Sequence, residues 1–164
     1  MVARRDLIAE LSGPPRPLHL VEQAAVVGGL RYVELALFAR LGRAAPELGA
    51  AALMVWASSA SMRAAWRAEA LGELLPVSIG LPTEEACTVS PGPMTAALVN
   101  EAETAAGWAA DVYEVLLAAY GIRLSNLSVA ADPPFERVLT RLVADLDSER
   151  SALRRLLEGP GRSA

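Results

Sequence analysis

The sequence predicts an all-α protein built as an antiparallel four-helix bundle with one long crossover. Three observations carry this. β-Branched residues never gather into strand-like runs. Pro46 to Pro76 contains no helix breaker between its two prolines. The long segments are joined in the order short turn, long connector, short turn, and one long crossover among four helices marks the ferritin-like arrangement. The chain has 164 residues, which suits one domain with a sizeable core. Residues 1–17 read as a short helix with a proline-rich lead-in, and 18–160 as the bundle.

The elements follow in order. Residues 2–11 form a short amphipathic helix, ended by the run SGPPRP at 12–17, because proline is excluded from helix interiors. The first long helix spans about His19 to Leu41, with Gly42 as its stop. Val26, Val27, Leu30, Val33, Leu37, Phe38 and Leu41 gather on one broad face at 100° per residue. Gly28-Gly29 is either a weak point or a place where another helix comes close. Pro46 suits the first position of the second long helix, which runs to about Leu75. Its first half, Leu48 to Met62, carries no charge and is expected to be buried on nearly every side. Residues 76–93 hold four prolines and two glycines and form the crossover, long enough to pass from one end of the bundle to the other. The third long helix is expected to run unbroken from about Met94 to Tyr120. Asp132 before Pro133-Pro134 signals the start of the fourth, about Pro134 to Glu158, which Gly159-Pro160 ends.

Composition narrows the function classes. All 15 basic residues are arginine, which fits a GC-rich bacterial coding sequence, and the formal charge is −4. No basic stripe or aromatic platform offers itself to nucleic acid. Cys87 is the only cysteine, which excludes a disulfide within the chain and a cysteine-based metal cluster. It lies in the crossover without a basic neighbour, as an unactivated thiol. Asp6 and Glu10 flank too short an apolar core for a signal peptide. Ser58, Ser59, Ser61 and Arg63 interrupt Leu48–Trp66 as a membrane span. The expected location is cytoplasmic. No nucleophile elbow, phosphate loop or zinc spacing occurs. His19 reads as a solvated helix-start residue.

The runs LRYVELALFARLGRAAPEL and ASMRAAWRAEALGELLPV, followed by ADPPFERVLTRLVADLDSE, resemble a ferritin-like family of bacterial proteins over roughly residues 20–155. That resemblance implies a di-metal site, to which the first and third helices each give a Glu and the second and fourth each give Glu-x-x-His. This chain departs from it. His19 is the only histidine. Glu69 is followed three residues on by Gly72, Glu73 by Pro76, Asp145 by Ser148 and Glu149 by Ala152. Arg67 stands beside Trp66 where relatives place a histidine, and a guanidinium has no free lone pair for a metal.

Each long helix still turns an acid inward: Glu34, Glu69 with Glu73, Glu101 and Glu149. A turn near residue 44 puts Glu34 level with Met54, and Glu69 level with His19. A parallel third helix puts Glu101 level with Leu53, and a return near residue 129 puts Glu149 beside Ala109. The acids then fall in layers about 15 Å apart, and only Glu34 and Glu101 remain as weak metal candidates. A second layer collects Gln23 or Glu22, Arg63, Trp66, Arg67, Tyr113 and Asp145, with Glu69 nearby. It reads first as an ion pair at the rim of the bundle, with Arg67 neutralising Asp145 or Glu22, then as a small-molecule pocket, and last as a metal site.

The expectation is a cofactor-free, metal-free ferritin-like protein that binds a partner or small ligand, as a homodimer through an outer helix face. The alternative is a ferritin-like oxygenase, or a metal-free enzyme centred on Arg67, Tyr113 and Asp145. A weaker third is an accessory subunit of a larger oxidase.

Overall fold

The computed structural model describes residues 4–14, 16–77, 80, 87–100, 104–127 and 132–158, and these are all-α, with no strand among them. The first helix, α1 (Arg4–Ser12), buries Leu7 and Leu11, one turn apart, in the common core. It stops at Gly13, whose φ of +69° lies in the left-handed region that glycine favours.

Helix α2 (Leu20–Ala44) starts after His19, whose backbone N–H donates to the Glu22 side chain at 2.9 Å. The helix runs through Gly42 instead of stopping there. A Cβ on Gly42 would sit 2.9 Å from Ser61 Oγ, so this glycine admits the neighbouring helix. Gly28 and Gly29 mark a close approach as well, but by the crossover. A Cβ on Gly28 would overlap the Cys87 carbonyl, and one on Gly29 would press on the Pro91 ring.

Pro46 does not open the second long helix. It sits in a separate 3₁₀ turn, Ala45–Glu47; Leu48 and Ala50 are extended, and α3 (Ala51–Gly72) begins only after them. The hairpin is therefore centred near residue 50, since Glu34 stands opposite Arg67 and Phe38 opposite Ser61. The uncharged half of α3 is not buried all round. Ala57, Ala60, Ser61 and Ala64 pack inward, while Val55 and Met62 are 68 % and 67 % exposed. Its small residues let α2 approach closely, Trp56 is buried, and Val55 and Met62 face out.

The expected third helix is two. Helix α4 (Pro93–Asn100) is followed by α5 (Ala105–Ser125), with Thr104 between them in a non-helical conformation. Thr104 Oγ1 accepts from the Gly107 N–H, which is N-capping chemistry that a hydrophobicity pattern does not register. Helix α6 (Pro133–Glu158) closes the chain.

Side-chain pairs fix the directions. Glu34 meets Tyr120 and Arg40 covers Trp108, so α2 and α5 are antiparallel. Arg63 meets Glu149 and Arg67 meets Asp145, so α3 and α6 are antiparallel too. With α2 and α3 antiparallel, α3 and α5 point the same way, as a full-length crossover requires. Helix α1 lies against α5, where Arg4 pairs with Glu114 at 2.8 Å, and its Glu10 accepts from Thr95 N and Oγ1 at the start of α4. No helix among the described residues is long and apolar enough to cross a membrane.

Candidate functional site

The four long helices meet at a buried charge cluster centred on Arg67 of α3, which is fully buried. Arg67 Nε donates to both Glu34 carboxylate oxygens, at 3.0 and 2.9 Å, from α2. Its Nη1 donates to Asp145 Oδ2 at 2.8 Å and to Glu149 Oε1 at 2.9 Å, both on α6. Arg63, one turn earlier on α3 and partly exposed, also pairs with Glu149 Oε1. Helix α5 supplies two phenols: Tyr113 Oη donates to Glu149 Oε2 at 2.7 Å, and Tyr120 Oη donates to Glu34 Oε1 at 2.8 Å. Trp56 packs edge-on to Tyr113, with centroids 6.3 Å apart. Two buried nitrogens lack partners, Arg67 Nη2 and Trp56 Nε1.

Three carboxylates face two guanidiniums here, so the ionised cluster has one negative charge in excess. Burial disfavours a charged Arg67, but Glu34 and Glu149 outweigh it and hold the guanidinium more firmly protonated than usual. Burial, reinforced by the adjacent carboxylates, pushes both phenols up, so Tyr113 and Tyr120 stay protonated and act as donors. Burial also raises Glu34, against the pull of Arg67 and Tyr120. Glu34 is fully buried, and its carboxylate accepts from Arg67 and Tyr120.

This has a pH signature. Just above the ordinary glutamate value of 4.5, folded Glu34 holds a proton that the unfolded chain has released. Stability therefore falls as pH rises through that window. Glu22 acts oppositely: its hydrogen bonds from Arg16 and His19 hold it down at about 2, and the stability it confers is lost as pH falls through that value. Thermal midpoints measured from about pH 4 to 8 should peak on the acid side of neutrality, and Glu34→Gln should flatten the decline above the peak. A wild-type midpoint that climbs steadily to pH 8 would contradict the upward shift of Glu34.

The arrangement does not fit a di-metal centre. The carboxylates of the cluster are bridged by a guanidinium, which donates to each of Glu34, Asp145 and Glu149 and ligates nothing. No cluster of three or more histidine, cysteine or acidic side chains suited to a metal exists among the described residues. Glu34 is committed to Arg67 and Tyr120, and Glu101 lies outside the described residues.

The sequence-predicted residues divide into three places. Arg63, Arg67, Tyr113 and Asp145 come together around the Arg67–Glu149 pair. Trp66 and Glu69 lie on the outer side of α3, bordering a groove of about 350 Å³ shared with Arg137, Val138 and Arg141 of α6, with the Arg141 guanidinium 4.5 Å from the Trp66 ring centroid. Gln23 is at the far end of α2, donating to Asp132 Oδ2 at 2.9 Å. Glu22 pairs with Arg16, not Arg67.

The layering of the acids is corrected. Glu34 and Glu149 share one layer around Arg67, because the 3₁₀ turn and extended residues after α2 displace the α2–α3 register so that Glu34 faces Arg67 instead of Met54. Tyr120 and the role of Glu149 escaped the sequence reading. Both had a signal. Tyr113, Leu116 and Tyr120 share one stripe of α5 at helical spacing. Arg63 and Arg67, four apart, face Asp145 and Glu149, also four apart, in antiparallel register.

No family model, no curated protein and no solved structure matches this chain.

Proposed function

We propose that the chain is a metal-free, ferritin-like four-helix bundle that acts by binding, as a homodimer. One observation carries the metal-free reading: the Arg67 guanidinium lies among Glu34, Asp145 and Glu149, where a bound cation would otherwise balance them. The helix directions and the long connection between α3 and α4 support the ferritin-like reading.

The binding surface is the outer stripe of α3. Val55, Ser58, Met62 and Trp66 follow helical spacing and are all exposed. Ala51 to Met62 carries no charge, so two copies meet there without burying like charges. The order is nearly symmetric about Ser58 and Ser59. In a two-fold contact Val55 of each copy faces Met62 of the other, with small serines where the helices cross. A cytoplasmic setting, with neither nucleic acid nor membrane as partner, completes the reading.

The test has two parts. Purified protein incubated with Fe(II), Mn(II) and Zn(II), then desalted, should contain well under one ion per chain by elemental analysis. One or two retained ions per chain would sink the metal-free reading. Light scattering after size exclusion should give a dimer mass that Met62→Arg halves. Wild-type monomer throughout the tested concentrations would refute the dimer alone.

A further inference from the structure

The outer side of α1 forms one wall of a groove of about 610 Å³, with Ile122 of α5 on the other. Arg4, Arg5, Ile8, Ala9, Ser12 and Gly13 make up the α1 wall, a stripe at helical spacing. The one hydroxyl on that stripe is turned back into the helix, where Ser12 Oγ donates to the Ile8 carbonyl at 2.6 Å. The acids Asp6 and Glu10 lie off the stripe, and Glu10 is committed to Thr95. The volume falls within the range of about 300–1,000 Å³ that small-molecule sites occupy.

The groove has a direction. Arg4 stands beside Glu114, and Ser12, eight residues on, shares the groove with Ile122, eight residues beyond Glu114, so α1 and α5 run parallel. The Arg4 end is cationic. Glu114 takes Arg4, Arg150 and Arg154, and Asp147 takes Arg150 as well, so three guanidiniums share two carboxylates. Arg5 adds a fourth positive charge and pairs with no carboxylate among the described residues. The other end is apolar: Ile8 is half-buried, and Ala9 and Ile122 are exposed. Arg4 to Gly13 spans about 14 Å at the helical rise, the length of an extended alkyl chain of about ten carbons. The apolar residues line a recess between two helices, which suits one chain laid along it; a bilayer surface would need them to project.

We propose that the groove between α1 and α5 binds a single medium-chain carboxylate of about eight to twelve carbons. Its carboxylate lies at Arg5, and its chain runs toward Ile122. The site shares no residue with the Arg67 cluster or the outer stripe of α3, so it is independent of the metal-free and dimer readings.

Isoleucine occurs only at positions 8, 79 and 122, so δ1-methyl labelling of the full chain reads the groove through Ile8 and Ile122. Sodium decanoate, kept below its micellar range, should shift both signals saturably in an NMR titration, with a Kd of about 10–500 µM. Octanoate, two methylenes shorter, should bind about four- to fifteenfold more weakly. Decyltrimethylammonium has the same chain and the opposite charge, and should bind at least about tenfold more weakly than decanoate. Arg5→Gln, a substitution on the surface, should weaken decanoate about three- to tenfold. Vesicles of phosphatidylcholine and phosphatidylglycerol separate a free carboxylate from a membrane, and the protein should remain in the supernatant when they are sedimented. The proposal is overturned if neither signal shifts saturably by about 2 mM decanoate, or if octanoate or decyltrimethylammonium binds as tightly as decanoate. It is equally overturned if Arg5→Gln leaves decanoate affinity unchanged, or if the protein pellets with the vesicles.

Discussion

Arg67→Ala should cost about 3–5 kcal/mol of unfolding free energy, because it leaves buried carboxylates without their cation. The side chain is fully buried and makes hydrogen bonds to acids on two other helices. Of those acids, Glu34 and Glu149 are nearly inaccessible to solvent, so water cannot replace the guanidinium. Urea denaturation at constant pH measures the loss. The thermal midpoint should drop by roughly 6–20 °C for a domain of this size. Arg67→Lys keeps the charge but reaches fewer oxygens, and should fall between wild type and alanine. The decisive comparison is a triple variant with Glu34→Leu, Arg67→Met and Glu149→Leu. Buried ion clusters replaced whole by apolar groups often cost nothing or stabilise, so the triple variant should recover most of the loss. If it is as unstable as Arg67→Ala, packing, and not an unpaired charge, explains the single mutant.

Trp108→Ala should be comparably damaging, at about 3–5 kcal/mol, the usual range for truncating a large buried aromatic side chain. Trp108 is fully buried. Its Nε1 donates to the Leu98 carbonyl at 2.6 Å, in the last turn of α4, where helix carbonyls lack partners of their own. The Arg40 guanidinium of α2 lies 4.2 Å from its ring centroid. One indole thus joins α2, α4 and α5. Trp108→Phe keeps much of the volume and loses the N–H, and should cost about 1–3 kcal/mol for the stranded carbonyl. Equilibrium unfolding of both variants separates the contributions. Equal losses would assign the effect to the hydrogen bond, not the packing.

Much of the helical pattern was legible in the sequence because its punctuation is chemical. Gly13-Pro14 and Asp132-Pro133 end and begin helices by backbone restriction, and α1, α2 and α6 lie close to where they were expected. Where the rule concerned tertiary context, it failed. Gly42 reads as a helix stop, yet it is there to admit Ser61. An uncharged run reads as buried, yet alanine and serine tolerate either environment, and Val55 and Met62 face outward. The break at Thr104 falls at the polar run Asn100-Glu101-Ala102-Glu103-Thr104 between two apolar segments, a run whose glutamates and alanine are equally at home inside a helix.

The candidate site was half legible for a related reason. The inward acids and Arg67 were recognisable from helical phase. Their grouping depended on register, and a six-residue connection between α2 and α3 reassigns every level of the hairpin. Glu34 moved from the neighbourhood of Met54 to that of Arg67 on this account alone.

The seating of α1 also bears on how the chain is made. Leu7 and Leu11 pack into a core completed by α5, and Arg4 reaches Glu114, 110 residues later. At synthesis rates of about 5–20 residues per second, that partner leaves the ribosome roughly 5–20 s after α1. During this interval α2 and α3 can already pair through their small residues, while α1 remains undocked. Although it precedes the other described helices in the chain, α1 is thus among the last of them to be secured, with Leu7 and Leu11 exposed until α5 emerges.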